Sequence, residues 1–315
     1  MNRSLSTTAR EKAAADLRLW EERKTPGLMT MAWQRFRRDK LAMLGGAIMI
    51  ILILAAIGAP VLSKYVTHYT PQKIELGNTL KPMGYQKSPD LPRHIMGTDE
   101  LGRDVFTRII YGGRVSLYIS FLTVLVSLTI GTLLGAVAGF YGGVVDNLLM
   151  RFVDIVYAIP GLFLLILIAV VFRPGVTGMA FVLASLSWIG VSRLVRGEFL
   201  SLKARDFVDA ARVVGASNTR LILRHILPNA TSPIIVAASL AIGNVILTET
   251  ALSFLGMGVQ PPTPSWGNML TNAQQYLYRA PHLIVIPGIF IFITVLAGNL
   301  MGNGLRDALD PRLRE

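Results

Sequence analysis

The stretch VSLYISFLTVLVSLTIGTLLGAVAGFYGGVV, residues 115–145, runs from Arg114 to Asp146 without one Lys, Arg, Asp or Glu. A helix needs about 20 mostly apolar residues to cross the hydrocarbon core of a bilayer, so this stretch is long enough to span. Gly131, Gly135 and Gly139 recur every four residues within it. They form a stripe on one helix face where a second backbone can approach closely. Outward from it, five more uncharged stretches meet the length criterion: 41–63, 155–172, 174–192, 225–248 and 280–305. We therefore expect an all-α integral membrane protein with six transmembrane helices. Pro160 and Gly161 sit inside the third stretch and are expected to kink or interrupt it. A seventh uncharged stretch, 250–278, holds three prolines within GVQPPTPSWGN and reads as a loop that can dip back toward the membrane.

Composition agrees. Apolar residues are 52% of the 315 and charged residues 16%, against about 25% charged in soluble domains. The excess of 31 Lys+Arg over 19 Asp+Glu would suggest nucleic acid in a soluble chain. In a membrane protein it marks the cytoplasmic ends of helices. The absence of cysteine removes disulfides and thiolate chemistry. The four histidines, His68, His94, His225 and His282, show no ligand spacing, so no metal site is expected.

Loop charge orients the chain. Residues 1–40 carry ten Lys+Arg and 196–230 carry six, whereas 256–282 carries one. The positive-inside rule then places both termini and the 196–230 loop in the cytoplasm. The loop 64–112 falls outside; the eight basic residues of 64–114 weigh less because that segment is long and also carries five acids. The expected organisation is a cytoplasmic tail with an interfacial helix (1–40), a first span (41–63) and an extracytoplasmic loop (64–112). A core with five spans follows (113–305), then a cytoplasmic tail (306–315). Residues 1–25 read as a solvated tail, and Trp33 and Phe36, among basic residues, as headgroup-level anchors. Arg151 and Asp154 have the spacing of a helical ion pair.

Chemistry is sparse. There is no Gly-Lys dipeptide, hence no phosphate loop, and no His-Glu-x-x-His or Gly-x-Ser-x-Gly pattern. The spans hold almost no ionisable groups, which disfavours an ion-coupled transporter. Such a bundle must conduct, assemble, or be driven by a partner. The loop 196–230 is the exception in character. It contains two short helices separated by Gly215, with Phe207, Ala210, Ala211 and Val214 on one face of the first. An apolar face in an exposed loop implies docking, either onto a grooved soluble partner or back onto the chain's own spans or onto lipid.

DAARVVGASNTRLILRHILP, residues 209–228, resembles the cytoplasmic signature of bacterial ABC-importer permeases. Asp209, Ala210 and Ala211 stand for Glu-Ala-Ala, Gly215 follows at the right distance, and Leu227-Pro228 closes the motif, with His225 where Ile is usual. The segments RFRRDKLAMLGG (35–46), GTDELGRDVFTRIIYGGRVSL (97–117), TETALSFLGMGVQPPTPSWGNML (248–270) and NLMGNGLRDALDPRL (299–313) resemble the C-type permease of dipeptide and oligopeptide importers. The resemblance covers roughly residues 33–313. It implies a type I ABC-importer permease (MetI-like) fold in a bacterial inner membrane and no catalytic residue in this chain. ATP and Mg would be bound by partners. Those partners are a second, B-type permease subunit, two ATP-binding subunits and an extracytoplasmic peptide-binding protein, with membrane lipids around the bundle and no nucleic acid. Phe207, Asp209, Ala210, Ala211, Gly215, Leu227 and Pro228 become the ATPase-coupling element. The same machinery serves other small solutes, nickel and glutathione among them. Outside the class, a secondary transporter or a membrane scaffold stays open.

Three features complete the reading. Glu249, at the end of the fifth span, is either a pathway acid that meets the solute amino group or gates the path, or an acid bonded to nearby protein. Asp99, Glu100 and Asp104, with Arg103 and flanking glycines, read as a self-paired turn rather than a cation site. Residues 261–266, PPTPSW, form a rigid loop that docks the binding protein or covers the pore mouth.

Overall fold

The computed structural model describes residues 28–309 apart from 272; the expected tail 1–25 and residues 310–315 lie outside the described residues. The helices are α1 Leu28–Arg38, α2 Lys40–Ile57, α3 Val105–Tyr141, α4 Gly143–Tyr157, α5 Gly161–Phe172, α6 Val176–Lys203, α7 Asp206–Val213, α8 Asn218–Phe254, α9 Trp266–Thr271 and α10 His282–Leu309. The side carrying residues 58–104 is here the upper face, and the side carrying α7 the lower.

Helices α2, α3, α6, α8 and α10 are each long and apolar enough to cross a membrane. Helices α4 and α5 meet at 79° across Ala158–Pro160 and meet the same criterion only together, which gives six crossings where the bent pair is counted as one span and five otherwise. Alone, the 12 residues of α5 rise only about 18 Å. The third uncharged stretch is thus half a span, and Pro160 is the reason. Its ring cannot donate into a continuing helix, and Pro160 instead stands at the N-terminal boundary of α5.

Helix ends differ from the uncharged boundaries because some charges are paired inside the protein. Helix α3 begins at Val105, within the expected 64–112 loop, where the Asp104 side chain accepts from the Thr107 amide at 2.8 Å. Arg108 lies one turn into it, buried against Asp99 (3.3 Å). Arg306 is carried in the last turn of α10.

The stripe of glycines sets the central packing. A Cβ at Gly131 would sit 2.6 Å from Val191 Cβ, one at Gly139 would sit 2.7 Å from Phe199 Cβ, and one at Gly135 would collide with the Ser192 carbonyl. Helices α3 and α6 therefore touch backbone to backbone. Two cores follow. An upper cluster joins α2, α3, α6, α8 and α10 through residues such as Ile109, Met179, Ile246 and Leu283. A lower one gathers Phe140, Val195, Phe199, Val208, Leu221 and Ile226.

At the lower end, α1 packs against α2 and α10. Phe36 is buried there with Ala32, Ala42 and Ala308, so it is a packing residue and not a headgroup anchor; Trp33 stays exposed. Arg151 does not pair with Asp154. The Asp154 carboxylate takes Arg193 of α6 at 2.7 Å, as Asp146 nearer the start of α4 takes Arg196. At the upper face, residues 58–104 form a small layer. Its centre is His94, which stacks on Tyr69 (4.4 Å between rings) and meets Asp104 at 2.9 Å.

Candidate functional site

The expected coupling segment folds as a helix hung from the lower core. Helix α7 has Asp206 and Asp209 in its first turn and Arg212 in its last, matching charge to the helix dipole at both ends. Asp209 and Arg212 pair at 3.0 Å and are both exposed. The end of α7 is a Schellman motif. Gly215 is left-handed (φ +87°), its amide donates to the Arg212 carbonyl (3.0 Å), and the Ala216 amide donates to the Ala211 carbonyl (3.0 Å). No atom lies within 4 Å of a Cβ built on Gly215, so glycine is needed there for its backbone freedom and not for space.

The apolar face expected from spacing divides in two. Val208 is the anchor, fully buried against Leu221 and Ile226, with Ala211 and Ala216 packed beside it. Phe207, Ala210 and Val214, expected on one face with Ala211, instead point away from the spans, as does Val213. Val213 and Val214 are 88% and 87% exposed. One side of this short helix thus packs on the chain's own lower core, and the opposite side is exposed. Spacing alone misses Val208 because an eight-residue helix offers two overlapping i, i+3, i+4 rows, and only the position of Leu221 and Ile226 selects between them.

Leu227 and Pro228 lie past a wide turn, Leu221–Ile226, at the foot of α8. Pro228 supplies no amide there, and the Asn229 side-chain amide donates to the His225 carbonyl (2.6 Å). Leu227 packs on the lower core and Pro228 is exposed. Helix α6, from which α7 follows, is braced from the side by α4, where Asp146 takes both the Nε and NH2 groups of Arg196 (2.5 and 2.6 Å). Lys203 donates to the Phe140 carbonyl at the end of α3.

Glu249 lies far from this face, near the top of α8. Its carboxylate is fully enclosed and accepts from Ser253 Oγ (2.7 Å) and Ser116 Oγ (3.3 Å). Those hydroxyls in turn accept from the Val259 and Trp266 amides at 3.2 Å each. Trp266 also donates its indole N–H to the Ile109 carbonyl at 3.0 Å. Glu249 is thereby the hub that ties the 255–266 loop to α3 and α8. That loop carries PPTPSW, and Asn268 pins it by donating to the Val259 and Thr263 carbonyls. Asp99 and Glu100 pair with Arg103 at 2.6 and 2.9 Å, while Asp104 caps α3. No group of three or more His, Cys, Asp or Glu among the described residues is placed to hold a metal ion.

The arrangement is thus a bent helix pair, glycine helices in close contact and a short helix with exposed apolar side chains on one face. Residues 131–315 match the family described as the inner membrane component of binding-protein-dependent transport systems, and residues 27–82 match the N-terminal transmembrane domain of oligopeptide transport permease C. The chain belongs to the first family: it is a multi-pass bacterial inner-membrane permease subunit of a dipeptide/oligopeptide-type ABC importer, a heteromeric system, and not an enzyme. It is 39% identical to the dipeptide transport system permease protein DppC of Haemophilus influenzae, over 93% of this chain and 97% of that one. It is 42% identical to the glutathione transport system permease protein GsiD of Escherichia coli O157:H7, over 90% of each. Among solved structures, the inward-facing MetNI methionine ABC transporter shares the fold, with a TM-score of 0.50 at 18% identity over 64% of this chain and 97% of that one.

Proposed function

We propose that this chain is the permease subunit of an ATP-driven importer of short peptides, di- to tripeptides, the size class that includes glutathione. The observation that carries the coupling half of the reading is the exposed Val213–Val214 pair at the end of a helix otherwise anchored in the lower core. In this reading α7 seats in a cleft of one ATP-binding subunit. Phe207, Asp209, Ala210 and Ala211 then form the helix, Gly215 ends it, and Leu227 and Pro228 lie in the lower part of α8, which passes movement upward. The lower face is cytoplasmic, as loop charge demands. The upper layer 58–104 and the 255–266 loop face the binding protein, beside a second, B-type permease and a pair of ATP-binding subunits that hold ATP and Mg. The solute class rests on the dipeptide and glutathione permeases that the chain resembles along nine-tenths of its length. Selection within that class falls to the binding protein. The test is uptake by the complete complex in vesicles loaded with ATP. Labelled dipeptides and glutathione are each offered with unlabelled competitors, and accumulation of neither sinks the peptide assignment. A cysteine at Ser217 checks orientation: labelling of intact cells by an impermeant reagent would reverse it.

A further inference from the structure

A cavity of about 490 Å³ opens between α5, α6 and α8, lined by Leu162, Leu186 and Leu247 with Ser187, Asn244 and Thr248 among them, and by no ionisable group. Its depth follows from helix rise of 1.5 Å per residue. Asn244 is ten residues below Phe254, the top of α8, or about 15 Å. Ser187 is eleven below Val176, the top of α6, or about 16 Å. Gly161, at the break of the third span, is eleven below Phe172. Three elements thus bring hydrogen-bonding side chains and irregular backbone to one level, near the middle of a ~30 Å hydrocarbon layer.

Two independent observations are what a water-filled path would leave at this level. The hydroxyls of Ser187 and Thr248 are satisfied by their own helices, on the Leu183 and Asn244 carbonyls. The Asn244 side-chain amide is exposed and has no hydrogen-bond partner among the described residues. An unsatisfied amide in hydrocarbon costs several kcal/mol. The break at Ala158–Pro160 is exposed as well, and non-helical backbone at membrane depth survives only inside protein or along water.

We infer that this cavity is the subunit's wall of the solute path and that the Asn244 amide hydrogen-bonds the passing solute. The inference rests on the importer reading above and names the contact. An amide offers donors and an acceptor together, the complement of a peptide group. A wall without charge does not grip the termini, so a zwitterionic short peptide slides past it and is not trapped.

The chain has no cysteine, so Asn244→Cys gives it a single thiol. In the complete complex in vesicles, an impermeant charged methanethiosulfonate reagent is applied with and without ATP, and modification of this subunit is read by mass. The control is Leu125→Cys, at an exposed apolar position of α3. Thiolate forms in water and not in lipid. Asn244→Cys should therefore react at least tenfold faster than Leu125→Cys in one nucleotide state. Loaded binding protein should slow it, and Asn244→Ala should raise the KM for peptide uptake severalfold with ATPase binding unchanged. Reaction no faster than at Leu125 in both states would mean that Asn244 is sealed against lipid or the second permease, and would overturn the inference. Labelling needs no knowledge of the solute. If the wild-type complex takes up no short peptide yet Asn244→Cys reacts, the peptide assignment fails and the path stands.

Discussion

Replacing Val213 and Val214 together by alanine tests the coupling surface with little confounding. Both side chains are almost wholly exposed, so their loss opens no cavity in the permease. Alanine is also the better helix former, by about 0.5 kcal/mol per residue, so α7 itself is slightly stabilised. Each change removes two methyl-sized groups, worth about 0.8 kcal/mol apiece when buried. If the pair is covered by an ATP-binding subunit, the loss is about 3 kcal/mol, or on the order of 100-fold in affinity. The assay is titration of purified ATP-binding subunits onto the permease pair in nanodiscs, with uptake measured on matched vesicles. The expected result is a right-shifted binding curve, uptake lost at limiting ATPase and partly restored by excess. Binding within twofold of wild type would show that the exposed valines are not the docking surface, and α7 would lose its coupling role.

Three further outcomes are expected. Gly215→Val places a β-branched residue at positive φ, at a cost of roughly 1–2 kcal/mol. It should weaken ATPase binding and speed proteolysis at 213–217, while Gly215→Asn, which tolerates that conformation, keeps most function. Gly135→Leu forces α3 and α6 apart where a Cβ already meets the Ser192 carbonyl, so the purified permease should lose thermal stability by more than about 2 kcal/mol; an unchanged melting curve would contradict the close packing. Glu249→Ala strips the acceptor from two buried hydroxyls at about 1–3 kcal/mol each. Protease should then cut the 255–265 loop sooner while the spans still insert, and Glu249→Gln should largely rescue it; equal cutting rates in all three chains would show that the carboxylate does not hold the loop.

Residue order alone determined what needs no neighbour. Uncharged length marks a span because the bilayer is a uniform apolar solvent. The Gly131–Gly135–Gly139 period marks a close helix contact, and Gly215 marks a helix end because only glycine takes its conformation freely. Tertiary structure decided what depends on a partner in space. The uncharged stretch ended at Arg114, yet the helix begins at Val105 and takes in Arg108, because a buried ion pair with Asp99 looks in sequence like any exposed charge. Phe36 and Val208 turned inward because Ala308 in one case, and Leu221 with Ile226 in the other, were there to receive them. Glu249 became a fastening for the upper loop only when folding brought Ser116, more than a hundred residues earlier in the chain, to its carboxylate, with the Trp266 amide donating to the same Ser116 hydroxyl. Asn244 drew no attention in the sequence, since one amide in a long apolar stretch carries no pattern. Its exposure beside a broken helix, at the level of Ser187, is a property of three helices packed together.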